Sequence, residues 1–273
     1  MIRKILIRLN QFLLILSTTI LLLAIIISVT ILNKKYILSI LERNDYYNKV
    51  YYDSLSTIEG YTIQVGLTGE EVEKILTKEK VTNDIKNLIN YIYDNQELKI
   101  DTKSLFNNIE ELIQNKLREN NRSATQEELI GITNLKKQIT DSYEDKILYS
   151  KKYILKIRDT YHKLSKYQKK ILFLLSCIEF FLIASLQLVS KSFKVFLKTL
   201  GSTLLSTFFI TLSTKIFIQP KLQHIVIFSS ILSKLAITIT NAIFKILFVT
   251  SSILGIFGLL LIIIGVAKIN KKV

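Results

Sequence analysis

The chain is poor in the residues on which most enzymes and secreted domains depend. Its 273 residues include one cysteine, one proline, eight glycines, two histidines and no tryptophan. The single cysteine, Cys177, excludes a disulfide within the chain. The two histidines, His162 and His224, are too far apart in sequence for a zinc-ligand motif. We find no catalytic motif and no glycine-rich phosphate loop, so we expect no cofactor, no bound metal and no enzymatic activity.

Acidic residues are almost missing from both ends of the chain. Of the 22 acidic residues, 21 lie between Glu42 and Asp159, and Glu179 is the one that follows. All 13 tyrosines lie between Tyr36 and Tyr167. The ends are instead long and apolar, so the composition indicates that lipid surrounds some segments and water surrounds others.

The net charge of +15 is concentrated beside the apolar segments. Residues 34–170 hold 24 basic and 21 acidic residues, whereas residues 171–273 hold ten lysines and one glutamate. A basic protein can bind nucleic acid. Here the excess flanks apolar segments, as it does in membrane proteins. We therefore expect contact with membrane lipid and none with nucleic acid.

Four apolar segments are predicted to cross the membrane as helices. A helix over residues 9–32 would be about 36 Å long, against a hydrocarbon core of about 30 Å. A cleaved signal peptide is the alternative for this segment, but residues 28–30 make a poor cleavage site and the apolar run is too long. The four predicted transmembrane helices are residues 9–32, 171–190, 195–218 and 246–267.

The short segments next to these helices predict the orientation. The N-terminus at 1–8, the loop at 191–194 and the tail at 268–273 are all basic. With four spans all three lie on one side, which the positive-inside rule assigns to the cytoplasm. We therefore expect a multi-pass protein of the cell membrane with both termini cytoplasmic and residues 33–170 outside.

Residues 219–245 are predicted to form an amphipathic helix on the outer surface. Polar residues recur in this segment at intervals of seven, four, seven and four, which places them on one helical face: Gln223, Ser230, Lys234, Asn241 and Lys245. A helix of this kind lies in the membrane interface. The alternative is a fifth span, which would place the basic tail outside.

The segment outside the membrane is predicted to be an all-α domain on a helical stalk. Apolar residues recur at intervals of three and four from residue 37 to 58 and from 135 to 164. This spacing indicates that the first two membrane helices extend outward as a paired stalk. The overall prediction is an all-α membrane protein with four transmembrane helices, this stalk, an all-α extracytoplasmic cap and the interfacial helix.

Residues 59–133 are predicted to form the cap from short helices. Thr68 begins a capping box with Glu71, Asp101 caps a second helix, and Ser123 begins a third. Only residues 61–65 have the pattern of an extended segment.

Two pairs of tyrosines are the candidate recognition surface of the cap. Tyrosine combines a large apolar body with a polar tip, which suits protein interfaces. The alternative is that Tyr47 and Tyr51 pack inside the stalk while the others face water. The four residues are Tyr46, Tyr47, Tyr51 and Tyr52.

Glu179 is the candidate polar site inside the membrane, because it lies near the middle of the second span. If spans two and three form an antiparallel hairpin, Glu179 falls opposite a stripe of hydroxyl side chains on span three. Such a site could relay protons or ions or act as a gate. The alternative is structural, with a neutral glutamate joining two helices. The hydroxyl residues of the site are Thr203, Ser206, Thr207 and Thr211.

Small residues in the fourth span predict a close helix partner. Ser251 and Gly255 are four residues apart and Gly258 follows nearby. Small residues at this spacing allow two helices to approach closely.

The chain has two resemblances to known families, and only the second of them implies an activity. The segments YYDSL at 51–55, KVTNDIK at 80–86 and KIDT at 99–102 resemble outer domains of uncharacterised multi-pass membrane proteins of low-GC Gram-positive bacteria. The order of spans and outer segments resembles that of FtsX-like permease subunits, which implies work with a cytoplasmic ATPase.

We therefore expect a non-enzymatic envelope protein whose outer domain binds a protein partner or a signal. The alternative is a permease, transporter or channel subunit gated near Glu179. A homo-oligomer is compatible with either function.

Overall fold

The computed structural model describes residues 2–148, 151–223 and 230–267, and within them the chain is all-α, as predicted. Eleven α-helices and one 3-10 turn occur in these ranges, without a β-strand. The helices are α1 Ile2–Val29, α2 Lys34–Arg43, α3 Tyr46–Thr62, α4 Gly69–Ile75, α5 Lys78–Asp94, α6 Thr102–Glu119, α7 Gln126–Leu148, α8 Lys151–Ser190, α9 Phe193–Phe217, α10 Gln219–Gln223 and α11 Ser230–Val266.

The helices divide into two compact units. One, here called the terminal unit, combines Met1–Ile37 with Leu164–Val273, and the other, the central unit, is Leu38–Lys163. The prediction of four helices long and apolar enough to cross a membrane is confirmed by α1, α8, α9 and α11. At about 1.5 Å per residue, the 40 residues of α8 and the 37 of α11 exceed a hydrocarbon core of about 30 Å.

Within the terminal unit, α9 and α11 form a tight antiparallel pair. Gly201 faces Gly258, and a methyl carbon added at Gly201 would lie 2.5 Å from the Gly258 carbonyl oxygen. Further along, the Lys215 Nζ lies 3.8 Å from the centre of the Phe248 ring. The partner predicted for the small residues of the last span is therefore α9.

Helix α1 packs against both members of this pair. Leu14 of α1 is fully buried in an apolar cluster with Leu186 of α8 and Phe196 of α9. About two to three turns later, Leu22 and Ile26 pack against Leu247 of α11. The apolar side chains of α1 therefore contribute to two small cores rather than one.

The central unit has its own core, in which residues at helical spacing meet between α3, α5, α6 and α7. The largest fully buried side chain among the described residues is Tyr143, and the aliphatic residues that are buried to the same degree in this unit include Ile58, Leu105, Ile109 and Ile139. This burial explains why the apolar intervals of three and four in residues 37–164 predict helices correctly.

The predicted helix starts of the cap agree with the structure at two of three places. Thr68 and Glu71 form the capping box at the start of α4, and the Asp101 carboxylate accepts a hydrogen bond from the Ser104 N–H at the start of α6. The third start is wrong: α7 begins at Gln126, because Thr125 and Glu128 exchange the capping hydrogen bonds.

The prediction of an extended segment over 61–65 is also wrong. Helix α3 continues to Thr62, and a 3-10 turn, Ile63–Val65, follows it. Thr62 is fully buried, four residues after the buried Ile58, so helical spacing persists to the end of α3. Gly66, with φ +69°, then reverses the chain direction, which glycine does at little cost.

Two helix boundaries differ from those in the sequence analysis. Helix α1 ends at Val29, and a turn separates it from α2. Helix α11 runs unbroken through residues 245 and 246, where the sequence suggested a change from the interfacial helix to the last span. Residues 224–229 of that interfacial segment and the tail 268–273 lie outside the described residues.

Candidate functional site

Glu179 lies in the interior of α8 and is hydrogen-bonded to α1. Its Oε1 atom is 2.6 Å from the hydroxyl oxygen of Thr18. The same Thr18 hydroxyl is 2.7 Å from the carbonyl oxygen of Leu14, one turn earlier in α1. The other carboxyl oxygen, Oε2, is buried and has no hydrogen-bond partner in the described structure.

This bond is one of four polar contacts that join α1 to α8 along their lengths. The Arg3 guanidinium donates to the carbonyl oxygens of Val189, at 2.8 Å, and Ser190 at the end of α8. The Asn10 amide donates to the Ser185 hydroxyl at 2.7 Å. The Gln168 amide donates to the Ser28 hydroxyl at the opposite end. As the α1 number rises the α8 number falls, so the two helices are antiparallel.

The α1–α8 contact differs in kind from the α9–α11 contact. The backbones of α1 and α8 lie further apart than those of α9 and α11, and polar side chains bridge the gap. Within α1, two buried oxygens also have no partner in the described structure, Asn10 Oδ1 and Ser17 Oγ. Each buried, unsatisfied polar atom costs about 1–3 kcal/mol. Two of these atoms, Asn10 Oδ1 and Glu179 Oε2, belong to residues that bond across the α1–α8 contact, which makes this contact the candidate functional site of the terminal unit.

The threonine hydroxyl groups of the α9 stripe bond within their own helix. Thr203, Thr207 and Thr211 are buried, and each donates its hydroxyl hydrogen to a carbonyl oxygen three or four residues earlier in α9. Ser206 is half-buried beside them. The hydrogen bond of Glu179 instead goes to Thr18 of α1, a residue the sequence analysis did not consider.

A polar pattern in α1 could have revealed this partner. Arg3, Asn10 and Ser17 recur every seven residues, and Thr18 follows directly. Seven residues are about two helical turns, so these side chains lie on one face of an otherwise apolar helix.

The four tyrosines of the candidate recognition surface do not share one exposed face. Tyr46 and Tyr47 are 8% and 9% exposed, Tyr51 is half-buried and Tyr52 is 64% exposed. Burial, and to a smaller degree the Glu42 carboxylate, raises the pKa of Tyr47. Tyr52 is therefore the one member of this set that is open to a partner.

A cleft at one end of the central unit is the better candidate for recognition. Its volume is about 730 Å³, and α6, α7 and the turn after α3 line it. The Lys116 ammonium lies 2.9 Å from the Glu71 carboxylate, and Arg122 pairs with Glu128. The apolar part of the lining is Val65, Leu67, Ile113, Leu117 and Ile132.

Hydrogen bonds fix the ionised form of Glu71 at the edge of this cleft. The Thr68 backbone N–H first, and Lys116 second, lower the pKa of Glu71 to about 2. Since Lys116 and Arg122 are both paired, the apolar walls are the part of the cleft that is left for binding.

A buried polar network holds the middle of the central unit together. The Tyr143 hydroxyl donates to Asp84 at 2.7 Å, and the Lys80 ammonium lies 3.5 Å from the same carboxylate. Asp84 is 3% exposed. Burial and the negative charge of Asp84 raise the pKa of Tyr143, so Tyr143 remains a hydrogen-bond donor. The network links α5 to α7 and, through Lys80 and Asp101, to the start of α6.

Comparison of the chain with protein-family models, with curated proteins and with solved structures gives no match.

Proposed function

We propose that this chain is a non-enzymatic, multi-pass membrane protein of the cell envelope whose central unit lies outside the cytoplasm and binds a protein partner. Four helices of sufficient length and apolarity support the membrane part. The separate core of the central unit supports a domain that folds in water.

The contacts inside the terminal unit support a common side for its basic ends. Arg3, at the start of α1, binds the carbonyl oxygens at the end of α8. Lys194, at the start of α9, lies 3.5 Å from the Ala267 carbonyl oxygen just after α11. Positive charge at helix C-termini is stabilising, and basic residues at these four helix ends suit the cytoplasmic side.

Cysteine labelling tests this topology, because Cys177 is the only cysteine of the chain. In a Cys177→Ser background, we expect Ser123→Cys to react with a membrane-impermeant maleimide in intact cells. Lys194→Cys should react only after the membrane is permeabilised. Both side chains are exposed, so access to the reagent decides the result. Labelling of Lys194→Cys but not Ser123→Cys in intact cells would contradict the proposed orientation.

The position of Gly131 is the main support for the proposal that the central unit binds a partner. It lines the cleft from the interior of α7, where a glycine costs about 1 kcal/mol relative to alanine. An added methyl carbon there would meet no atom of the chain within 4 Å. Its neighbours Leu129 and Ile130 are apolar and 45% and 59% exposed. A partner that packs against the α7 backbone explains both the glycine and the exposed apolar side chains.

A matched pair of glycines tests this site. Gly60 of α3 also lies in a helix, is exposed and meets no atom within 4 Å, but it does not line the cleft. We expect Gly131→Trp to abolish, and Gly60→Trp to preserve, a crosslink from a photoreactive residue placed at Ile130. If both tryptophan variants crosslink like the parent, the cleft is not the binding site.

A transporter, channel or permease-like subunit gated near Glu179 is the second candidate function. The observation that favours it is the buried, unpartnered Oε2 atom of Glu179 between two helices. Polar residues with incomplete hydrogen bonding inside a membrane often lie on ion or proton paths. We expect Glu179→Gln and Glu179→Leu to reduce ion flux in reconstituted vesicles. Unchanged flux and growth in both variants would exclude this function.

A further inference from the structure

The Thr18 hydroxyl has two acceptors within hydrogen-bond distance but only one hydrogen. The Leu14 carbonyl oxygen is 2.7 Å away and Glu179 Oε1 is 2.6 Å away. If Glu179 is ionised, Thr18 can donate to only one of the two oxygens. If Glu179 carries a hydrogen, it donates to Thr18, and Thr18 donates to Leu14, so both contacts become hydrogen bonds.

Among the described residues, no hydrogen-bond donor faces the Oε2 atom of Glu179. Oε2 is buried without a partner, so a carboxylate here would have one unsolvated oxygen. No charged side chain occurs in α1 between Arg8 and Lys34, and no other occurs in α8 between Lys170 and Lys191.

Among the described residues, no lysine of α9, α10 or α11 forms an ion pair with Glu179. In α9, Lys215 lies over the Phe248 ring at 3.8 Å, and Lys194 lies 3.5 Å from the Ala267 carbonyl oxygen. The backbone of Lys198 packs against Gly265 of α11. In α11, the charged residues are Lys234 and Lys245, and the Lys245 side chain is exposed. No charge pair is therefore found for an ionised Glu179 among the described residues.

We propose that Glu179 and Thr18 form an exchangeable proton-binding site between α1 and α8. In the loaded form, the Glu179 O–H donates to Thr18 and the Thr18 O–H donates to the Leu14 carbonyl oxygen. When the Glu179 O–H bond breaks and its proton passes to a water molecule that enters the contact, a carboxylate remains, and the Thr18 hydroxyl then turns from Leu14 to Glu179. The inference rests on the second candidate function, and it names the ligand of that site as a proton.

Proton release would weaken the contact between the two helices. A carboxylate in apolar surroundings requires water or a counter-charge. Of the other two orphan oxygens, Asn10 Oδ1 can only accept a hydrogen bond, and the neutral Ser17 hydroxyl supplies no counter-charge. Water can enter where helix backbones are already apart, as they are between α1 and α8. The site thereby links the protonation of Glu179 to the separation of α1 from α8.

Infrared difference spectroscopy of the full chain, purified from membranes, tests the proposal. The parent spectrum minus the Glu179→Gln spectrum isolates this carboxyl group from the other 21 acidic residues. At neutral pH we expect the carbonyl stretch of a carboxylic acid, at the high-frequency position of a carbonyl that accepts no hydrogen bond, because Oε2 has no partner. A difference spectrum with carboxylate bands alone would overturn the proposal.

Two adjacent threonines provide the matched control. Thr19 donates to the Ile15 carbonyl oxygen at 2.7 Å, as Thr18 does to Leu14, but the contact with Glu179 belongs to Thr18. We expect Thr18→Val to shift the carboxylic-acid band, Thr18→Ser to restore it, and Thr19→Val to leave it unchanged. Equal spectra for Thr18→Val and Thr19→Val would refute the pairing.

Infrared spectra and ion flux measured on the same preparations test the proton site and the transport function separately. A parent protein with the carboxylic-acid band but without ion flux in vesicles would retain the proton site and exclude transport. Flux that depends on Glu179 without the band would support transport and exclude this site.

Discussion

The contact between Gly201 and Gly258 makes a quantitative prediction about the stability of the terminal unit. A methyl carbon at Gly201 would lie 2.5 Å from the Gly258 carbonyl oxygen and 2.9 Å from the Ile262 side chain, whereas ordinary contact begins at 3.4 Å. The oxygen belongs to a helix backbone, which cannot turn away as a flexible side chain would. In Gly201→Ala, α9 and α11 must therefore move apart.

The expected cost follows from two opposing effects. Overpacking of a close contact costs about 1–3 kcal/mol, and a gap of about 0.5–1 Å removes a quarter to a half of the dispersion energy of each separated atom pair. Replacing glycine by alanine in a helix returns about 1 kcal/mol. Because three atoms lie within 3.0 Å of the added carbon, the overpacking cost should be near the upper end of its range. After the gain from alanine is subtracted, we expect a net loss of about 1–2 kcal/mol in stability.

A crosslinking assay can measure this loss. Gln219, the first residue of α10 just after the end of α9, and Asn241 of α11 have their side chains 2.8 Å apart, near one end of the α9–α11 pair. In a Cys177→Ser background, cysteines at these two positions should form a disulfide during a short oxidation pulse while the helices are paired. We expect Gly201→Ala to lower the mole fraction of dodecyl sulfate at which crosslinking is half lost.

The control is Gly60→Ala in the central unit, where an added carbon meets nothing within 4 Å. It should leave the midpoint of the α9–α11 assay unchanged. The double variant with Gly258→Ala should lose less than the sum of the two single losses, because helices that have separated for one methyl group have room for the other. A Gly201→Ala midpoint equal to that of the parent would refute the close contact.

Three further predictions concern the central unit. Tyr143→Phe leaves the buried Asp84 carboxylate without its 2.7 Å hydrogen bond, so we expect a loss of about 1–3 kcal/mol in chemical unfolding. The pKa of Glu71 is lowered to about 2 in the folded chain. The Glu71 carboxylate therefore stabilises the fold above pH 4.5, and this stabilisation is lost as the pH falls toward 2. In Glu71→Gln, we expect the melting temperature to depend less on pH over that interval. Gly131→Ala should raise the stability of α7 by about 1 kcal/mol, measured by hydrogen exchange, because the added methyl group meets no atom of the chain.

The sequence predicts the helices well because their determinants are local. Apolar intervals of three and four, the Thr68 capping box and the Asp101 cap act within a few residues, and the structure contains all of them. Where a local pattern was ambiguous, a neighbouring residue decided the outcome. Thr125 rather than Ser123 caps α7, because Thr125 exchanges capping hydrogen bonds with Glu128.

The partner of Glu179 could not be found in this way, because it depends on how helices distant in sequence pack. The hairpin that would place Glu179 beside Thr207 requires α8 to pack on the hydroxyl face of α9. That region of α9 packs against α11, where glycines permit closer approach, and its hydroxyl groups bind carbonyl oxygens of their own helix. Helix α8 instead forms hydrogen bonds with α1. At the Thr18–Glu179 contact the two bonded residues are 161 positions apart in the sequence.

The antiparallel contact of α1 with α8 also has a consequence for biosynthesis. In the proposed topology α1 enters the membrane first, with Asn10, Ser17 and Thr18 on one face and no α8 yet made. Thr18 and Glu179 are 161 residues apart, so at about 5–20 residues per second the ribosome needs roughly 8–30 s to supply the second helix. During that interval the polar face of α1 must be shielded by the insertion machinery or by a membrane chaperone. A nascent chain that stalls before α8 would display Asn10 and Thr18 to lipid, a feature that membrane quality control can recognise.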